Sequence, residues 1–300
     1  MNSSNPACVT CLNRKRKNED SLMVISKRVR FYAKYYQQNF SMPNSIIFYI
    51  AKNPKTAELY LKMVKTCKYL FVKNPIIIIP NLETGDGEWR SGKIPLNLTK
   101  YNCKYWITDK IKASAYEFVD KNIFSSIIPK LYQCDVKCLF LSDQIISYDD
   151  LSAIILSAER IGFTNVVVKH ADSSDVPLED IIAIAVNAKS VSADKPTITP
   201  KTMKILTKLP NFTELNDLVL YNLFEVFDID AFYSYFKKNQ HTKFYIKFDP
   251  QISDAFKNRL KAIVDEILET KEFDYKQPCL DFNGIDSQKF GKLYRIYNSH

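Results

Sequence analysis

A chain of 300 residues with 46% hydrophobic side chains, a formal net charge of +9 and only 6 glycines is not a disordered polymer, and it lacks the glycine supply of phosphate-cradling loops or glycine-turned all-β folds. No cationic-then-apolar leader opens it and no apolar run approaches the roughly 20 residues of a spanning helix, so the expectation is a soluble intracellular protein with no membrane partner. Its 7 cysteines, an odd set scattered through periodic apolar segments, read as reduced core thiols rather than a disulfide framework.

Residues 1–30 are polar, basic and aperiodic, the composition of a disordered lead. Arg14-Lys15-Arg16-Lys17 followed by Lys27-Arg28 has the spacing of a bipartite nuclear-import signal, so the cytoplasm is the expected location and the nucleus the alternative. Cys8 and Cys11 form a CxxC without a second pair at zinc-site spacing; a structural zinc needs four ligands, and no metal or cofactor is assigned.

Between 31 and 80, Ile46, Ile47, Ile50, Leu59, Met63 and Leu70 recur at helical spacing, with Pro43, Pro54 and Pro75 as punctuation, which predicts a small helical segment. Residues 81–100 are expected to be a linker. From 101 to 300 short β-rich runs alternate with helical patterns: Lys104–Thr108, Lys137–Ser142, Asn165–Lys169, Ser190–Ala193, Asp217–Tyr221 and Lys243–Phe248 are the strand candidates. Ser147 with Asp150 forms a capping box, Gly162 is placed to end the following helix, Thr199-Pro200 is placed to start another, and Asp228 caps a third. An amphipathic stripe of Ile252, Phe256, Leu260, Ile263, Val264, Ile267 and Leu268 is read as the closing helix.

Strands joined by helices must run parallel, and right-handed crossovers repeated in one direction give either a doubly wound sheet or a curved solenoid. Only one face of each run is consistently apolar, as at Leu139 and Leu141 or Leu218 and Leu220, whereas a central doubly wound strand is apolar on both. The fold expected is therefore α/β, a leucine-rich-repeat-like solenoid of short parallel strands and helices behind a small all-α segment. The residue between each inward pair should line the open, concave face: Trp106, Phe140, Val167, Ser192, Val219 and Tyr245. Lysines and aspartates beside that row read as a solvated mixed rim, which does not favour nucleic acid.

His170 and His241 stand in different repeats without a nucleophile partner. Asp109, Asp143 and Asp172, expected at strand ends where α/β enzymes place carboxylates, read as turn-capping groups, so no catalytic residue is assigned.

Phe40-Ser41-Met42-Pro43-Asn44-Ser45-Ile46-Ile47-Phe48-Tyr49-Ile50 resembles the opening of an F-box, where a Leu-Pro pair precedes an apolar helix, and Thr66-Cys67-Lys68-Tyr69-Leu70-Phe71 is similar to the family's Val-Cys-Lys-x-Phe stretch. With the strand–helix alternation behind it, the chain resembles nematode F-box proteins whose C-terminal domains select partners. The resemblance implies docking to a Skp-type adaptor of a cullin ubiquitin ligase through Met42, Pro43, Ile46, Ile47, Ile50, Cys67 and Phe71. It also implies a target protein held on the concave face, in one copy within a complex. The alternatives are a repeat scaffold whose residues 40–75 merely cap the first strand, and an α/β enzyme with carboxylates at strand ends.

Overall fold

Ile47 and Ala51, one helical turn apart, share the buried side of helix α1 (Asn44–Lys52). The structure is a computed structural model that describes residues 42–98, 100–270 and 274–299. Pro43 stands at the N-cap of α1. Helix α2 (Ala57–Thr66) starts at Thr56, whose hydroxyl accepts the Leu59 N–H at 3.1 Å, and α3 (Lys68–Lys73) follows after Cys67. Ile47, Ala51, Cys67 and Leu70 form the core of this unit, which is closed by Tyr60 Oη donating to the Asn74 carbonyl (2.6 Å) and Asn74 Nδ2 donating to the Ala51 carbonyl (2.9 Å). The contacts divide the chain at Pro75, so the helical segment ends five residues short of the expected boundary. The basic lead with Cys8, Cys11 and the Arg14–Lys17 run lies outside the described residues.

The second unit begins at once with strand β1 (Ile76–Gly85), and the expected linker is instead a pair of hairpins, β2 (Glu88–Ser91) and β3 (Ile94–Pro95). Asp86-Gly87, with φ of 51° and 70°, joins β1 to β2 in the two-residue turn that needs left-handed backbone at both positions. After it come β4 (Lys104–Ser114), β5 (Leu131–Cys134), β6 (Cys138–Ser147), β7 (Arg160–Lys169), β8 (Ser190–Asp194), β9 (Asp217–Leu223), β10 (Lys243–Phe248) and β11 (Cys279–Asp281). From β6 on, helices lie between them: α4 (Tyr148–Ile155), α5 (Leu178–Ile184), α6 (Thr202–Leu206), α7 (Pro210–Thr213), α8 (Ile229–Phe236), α9 (Asp254–Glu269) and finally α10 (Ser287–Asn298).

The architecture is α/β, with one open, mostly parallel sheet. Its order is β3-β2-β1-β4-β6-β7-β8-β9-β10-β11, with β5 also paired to β4, and every pairing from β1 to β11 outside the hairpins is parallel. After the β2–β3 hairpins on one side of β1, every strand from β4 on is added on the other side, and the order of the parallel strands does not reverse. Cys138, Arg160, Ser190, Asp217 and Lys243 stand in one row, so successive strands recur after 22, 30, 27 and 26 residues. Leu139, Leu141, Ile161, Phe163, Val191, Ala193, Leu218, Leu220, Phe244 and Ile246 share one core with the buried sides of α4 to α9. Both sheet edges are short: β3 has two residues ending in Pro95, and β11 has three, flanked by α10.

Ser147 Oγ accepts the Asp150 N–H at 3.0 Å and Asp228 Oδ1 the Ala231 N–H at 2.9 Å, as the capping patterns require. Two other expected punctuation marks fail. Gly162 lies inside β7, because helix α4 has already ended at Ile155 and the chain turns back into the sheet at Arg160. Thr199-Pro200 precedes rather than starts its helix, since the Thr199 N–H is held by Thr202 Oγ1 (2.8 Å) and α6 begins at Thr202. The stripe read as the closing helix is α9, with Leu260, Ile263, Val264 and Ile267 buried, but β11 and α10 follow it.

Several strands are longer than expected, and a left-handed residue sits within or just past four of them. Asp143 (φ 55°), Asn165 (φ 53°), Lys195 (φ 51°) and Asn222 (φ 55°) occupy one row across β6 to β9. At each of three strands the inward phase moves by one: Leu139 and Leu141 give way to Gln144 and Ile146, Ile161 and Phe163 to Val166 and Val168, and Leu218 and Leu220 to Leu223. The extra step is what a bulge does, setting the later side chains on the opposite parity.

Candidate recognition face

Side chains that alternate with the core positions point to the face of the sheet opposite α4 to α9. On it, Phe140, Gly162, Ser192, Val219, Tyr245 and Cys279 form one continuous row from β6 to β11. The floor is shaped by Gly162: a Cβ there would stand 2.7 Å from Phe140 Cδ1, so the phenyl ring rests across the neighbouring strand. The row therefore runs from an aromatic plate over small residues to a second aromatic group at Tyr245.

Tyr245 is the centre of that second group. Its ring meets Tyr221 at 5.7 Å and Tyr297 of α10 at 5.9 Å between centroids, and its hydroxyl donates to Asp281 Oδ2 at 3.1 Å. Burial and then the Asp281 carboxylate push the Tyr245 phenol above its ordinary range, so it stays a donor. Lys243 Nζ lies 5.5 Å over the Tyr297 ring. Glu83–Lys110 (2.6 Å) and Asp281–Lys247 (3.2 Å) are ion pairs on the same face, while Arg160 Nη2 donates to Cys138 Sγ at 3.0 Å.

The expected row is corrected at two positions. Trp106 is fully buried: it pairs with Ile78 and Gln133, is covered by Tyr132 at 5.3 Å, and donates from Nε1 to Asp135 Oδ2 at 2.6 Å. Val167 faces the open side but pairs with Ile145, past the left-handed step at Asn165; Gly162 holds its expected place. Phe140, Ser192, Val219 and Tyr245 are in register and partly exposed. Tyr221, the last residue of the expected strand, was missed because only the one residue between each inward pair was assigned to the open face, and Tyr297 because no helix was expected after α9.

In the helical unit the residues assigned to adaptor contact divide. Met42, Pro43, Ile46 and Ile50 are exposed and Phe71 is half-buried, whereas Ile47 and Cys67 are part of the unit's own core. Phe48, Tyr49, Leu59, Leu61 and Val72 add exposed apolar surface outside the residues assigned to adaptor contact.

The three carboxylates weighed for catalysis line no common cavity. Asp109 is inside β4 and faces a cleft of about 380 Å³ with Lys137, Glu159 and Lys189; Asp143 borders another of about 320 Å³ with Lys121 and Asn165. Asp172 is in the loop after β7, where the hydroxyl and N–H of Ser174 hold its carboxyl below the ordinary range. A cleft of about 710 Å³ lies beside Trp89, Leu96 and Tyr101. His170 packs against Tyr148, and the His241 carbonyl accepts Lys276 Nζ. Among the described residues no cluster of three or more His, Cys, Asp or Glu is placed to hold a metal ion, and no helix is long and apolar enough to cross a membrane. No family model and no curated protein matches the chain.

Proposed function

We propose that the chain is a non-catalytic recognition protein: its ladder of parallel strands is a leucine-rich-repeat-like solenoid that holds a target protein on the face opposite α4 to α9, and its first unit is an F-box-like module that docks a Skp-type adaptor of a cullin ubiquitin ligase. The observation that carries the target-binding half is the strand order. Parallel strands that from β4 on are always added on one side, sharing one core, leave a broad face lined by in-register rows, and here that face carries Phe140, Val219, Tyr221 and Tyr245. Aromatic side chains dominate interface energetics, and a row that spans several repeats suits a protein partner better than a small molecule. The run of parallel strands from β1 through β4 to β11, whose order does not reverse, also has no switch-point crevice of the kind in which doubly wound enzymes bind ligands.

The adaptor half is supported by the resemblance at Met42–Ile50 and Thr66–Phe71 and by the exposure of Met42, Ile46 and Ile50 on a unit with a four-residue core. Exposed apolar residues on so small a unit mark an interaction surface. The test is co-purification with a purified Skp adaptor. Binding by the wild type that is lost in Ile46→Asp/Ile50→Asp, with the circular dichroism spectrum unchanged, supports the ligase role. A folded wild type that does not bind overturns it and leaves a repeat scaffold. Ile47→Asp is the wrong variant, because it puts a charge into the core.

A further inference from the structure

Helix α10 is attached more lightly than the element it follows. Of its twelve residues only Leu293 is fully buried, whereas α9 buries Leu260, Ile263, Val264 and Ile267. Gly291 sits in its middle with nothing within 4 Å of the position a Cβ would take, so no packing constraint explains a residue that weakens a helix about five-fold relative to alanine. At its N-terminal end a cleft of about 400 Å³ separates it from α9, bridged by the exposed Lys289–Asp265 ion pair (2.5 Å), a contact that salt screens. The segment leading into it turns at Gly284 (φ 93°), which also has open space around it.

What α10 covers belongs to the recognition face. Tyr297 lies against Tyr245, and Cys279, in register with Tyr245 on β11, is fully buried at this end of the row. β11 pairs with β10 alone, and α10 packs against it.

We propose that α10 is a strap that detaches and unwinds as a unit beyond the Gly284 turn while the sheet stays folded, uncovering Cys279 and the β11 end of the face opposite α4 to α9. Its meaning for recognition rests on the reading that this face holds a target; the opening itself does not. Elements with few buried contacts open below the global transition, and one that lies over a binding row controls how many strands a partner can reach.

The test needs no partner, so its failure is separable from failure of the recognition reading. Hydrogen exchange of the full chain in native buffer, followed by mass spectrometry, is expected to show α10 amides exchanging at least ~10-fold faster than those of β9 and β10. Alkylation of Cys279 by N-ethylmaleimide should keep pace with α10. Gly291→Ala should slow both about five-fold, and Tyr297→Ala should speed both. Exchange of α10 together with β10, or Cys279 alkylation unchanged by Gly291→Ala, would overturn the proposal.

Discussion

The side-chain amide of Asn165 donates to the carboxylate of Asp143 at 3.0 Å across two neighbouring strands, and both residues hold left-handed backbone. The same bond recurs from Asn222 to Asp194 (2.5 Å), where Asn222 is left-handed and Asp194 precedes the left-handed Lys195. Asn and Asp tolerate this backbone because their short polar side chains bond locally, whereas lysine has no such compensation. Lys195→Asn is therefore expected to stabilise the protein by roughly 0.5–1 kcal/mol. Asn165→Ala should cost about 1–2 kcal/mol, from backbone strain plus a lost hydrogen bond. Urea midpoints of the three proteins decide both, and a Lys195→Asn variant no more stable than wild type refutes the strain account.

Gly162 and Phe140 are expected to be coupled. Gly162→Ala forces the Phe140 ring off its resting place and should destabilise by about 1 kcal/mol, while the same change made in a Phe140→Ala background should be neutral or stabilising. A double-mutant cycle measures the coupling, expected at ~0.5–1.5 kcal/mol; additive effects would mean that the ring rests elsewhere.

The two neighbouring isoleucines of α1 should behave oppositely. Ile47→Ala removes a core side chain of the helical unit and is expected to cost ~2–4 kcal/mol, whereas Ile46→Ala should change stability by less than ~0.5 kcal/mol. Denaturation of the two variants, read by far-ultraviolet circular dichroism, separates them.

Burial pushes the Cys134 thiol up to about 12, and the same cause brings Cys279 to about 12. An unfolded thiol ionises near ~8.5. Each raised group thus contributes stability that is fully present below pH ~8.5 and is lost as pH rises toward 12, since the unfolded state releases the proton first. Unfolding free energy should fall over that window. Cys134→Ala should flatten the slope there while lowering stability at pH 7 through the lost packing, and an unchanged slope would count against a buried thiol.

The α/β alternation was legible because hydrophobic phase and capping residues agree at the same places: Ser147 and Asp228 mark helix starts, and Leu218-Val219-Leu220 or Phe244-Tyr245-Ile246 marks a strand facing two ways. What stayed hidden has identifiable causes. Ile76–Ile79 is a continuous apolar run that periodicity cannot distinguish from the end of a helix, so β1 went unread and its Asp86-Gly87 turn with it. Gly162 reads as a helix stop, so the start of β7 at Arg160 went unread and Val167 stands five residues along the strand from Gly162, the residue that pairs with Phe140. Trp106 occupies a position of outward parity and is buried only because Tyr132 and Asp135, some thirty residues later, fold over it. Four of the six residues of the outward row, Phe140, Ser192, Val219 and Tyr245, were thus readable from local pattern, and the α10 contribution, through Tyr297, was not.

Because strands adjacent in the sheet from β6 to β10 are also adjacent along the chain, no pairing there has to wait for a distant segment to arrive. Closing each successive pair means looping 22 to 30 residues, and loop-closure entropy changes little over that range. Assembly can then spread outward from any strand pair, each added strand templated by its predecessor, and a damaging substitution at β10 is expected to leave β6 to β8 largely intact.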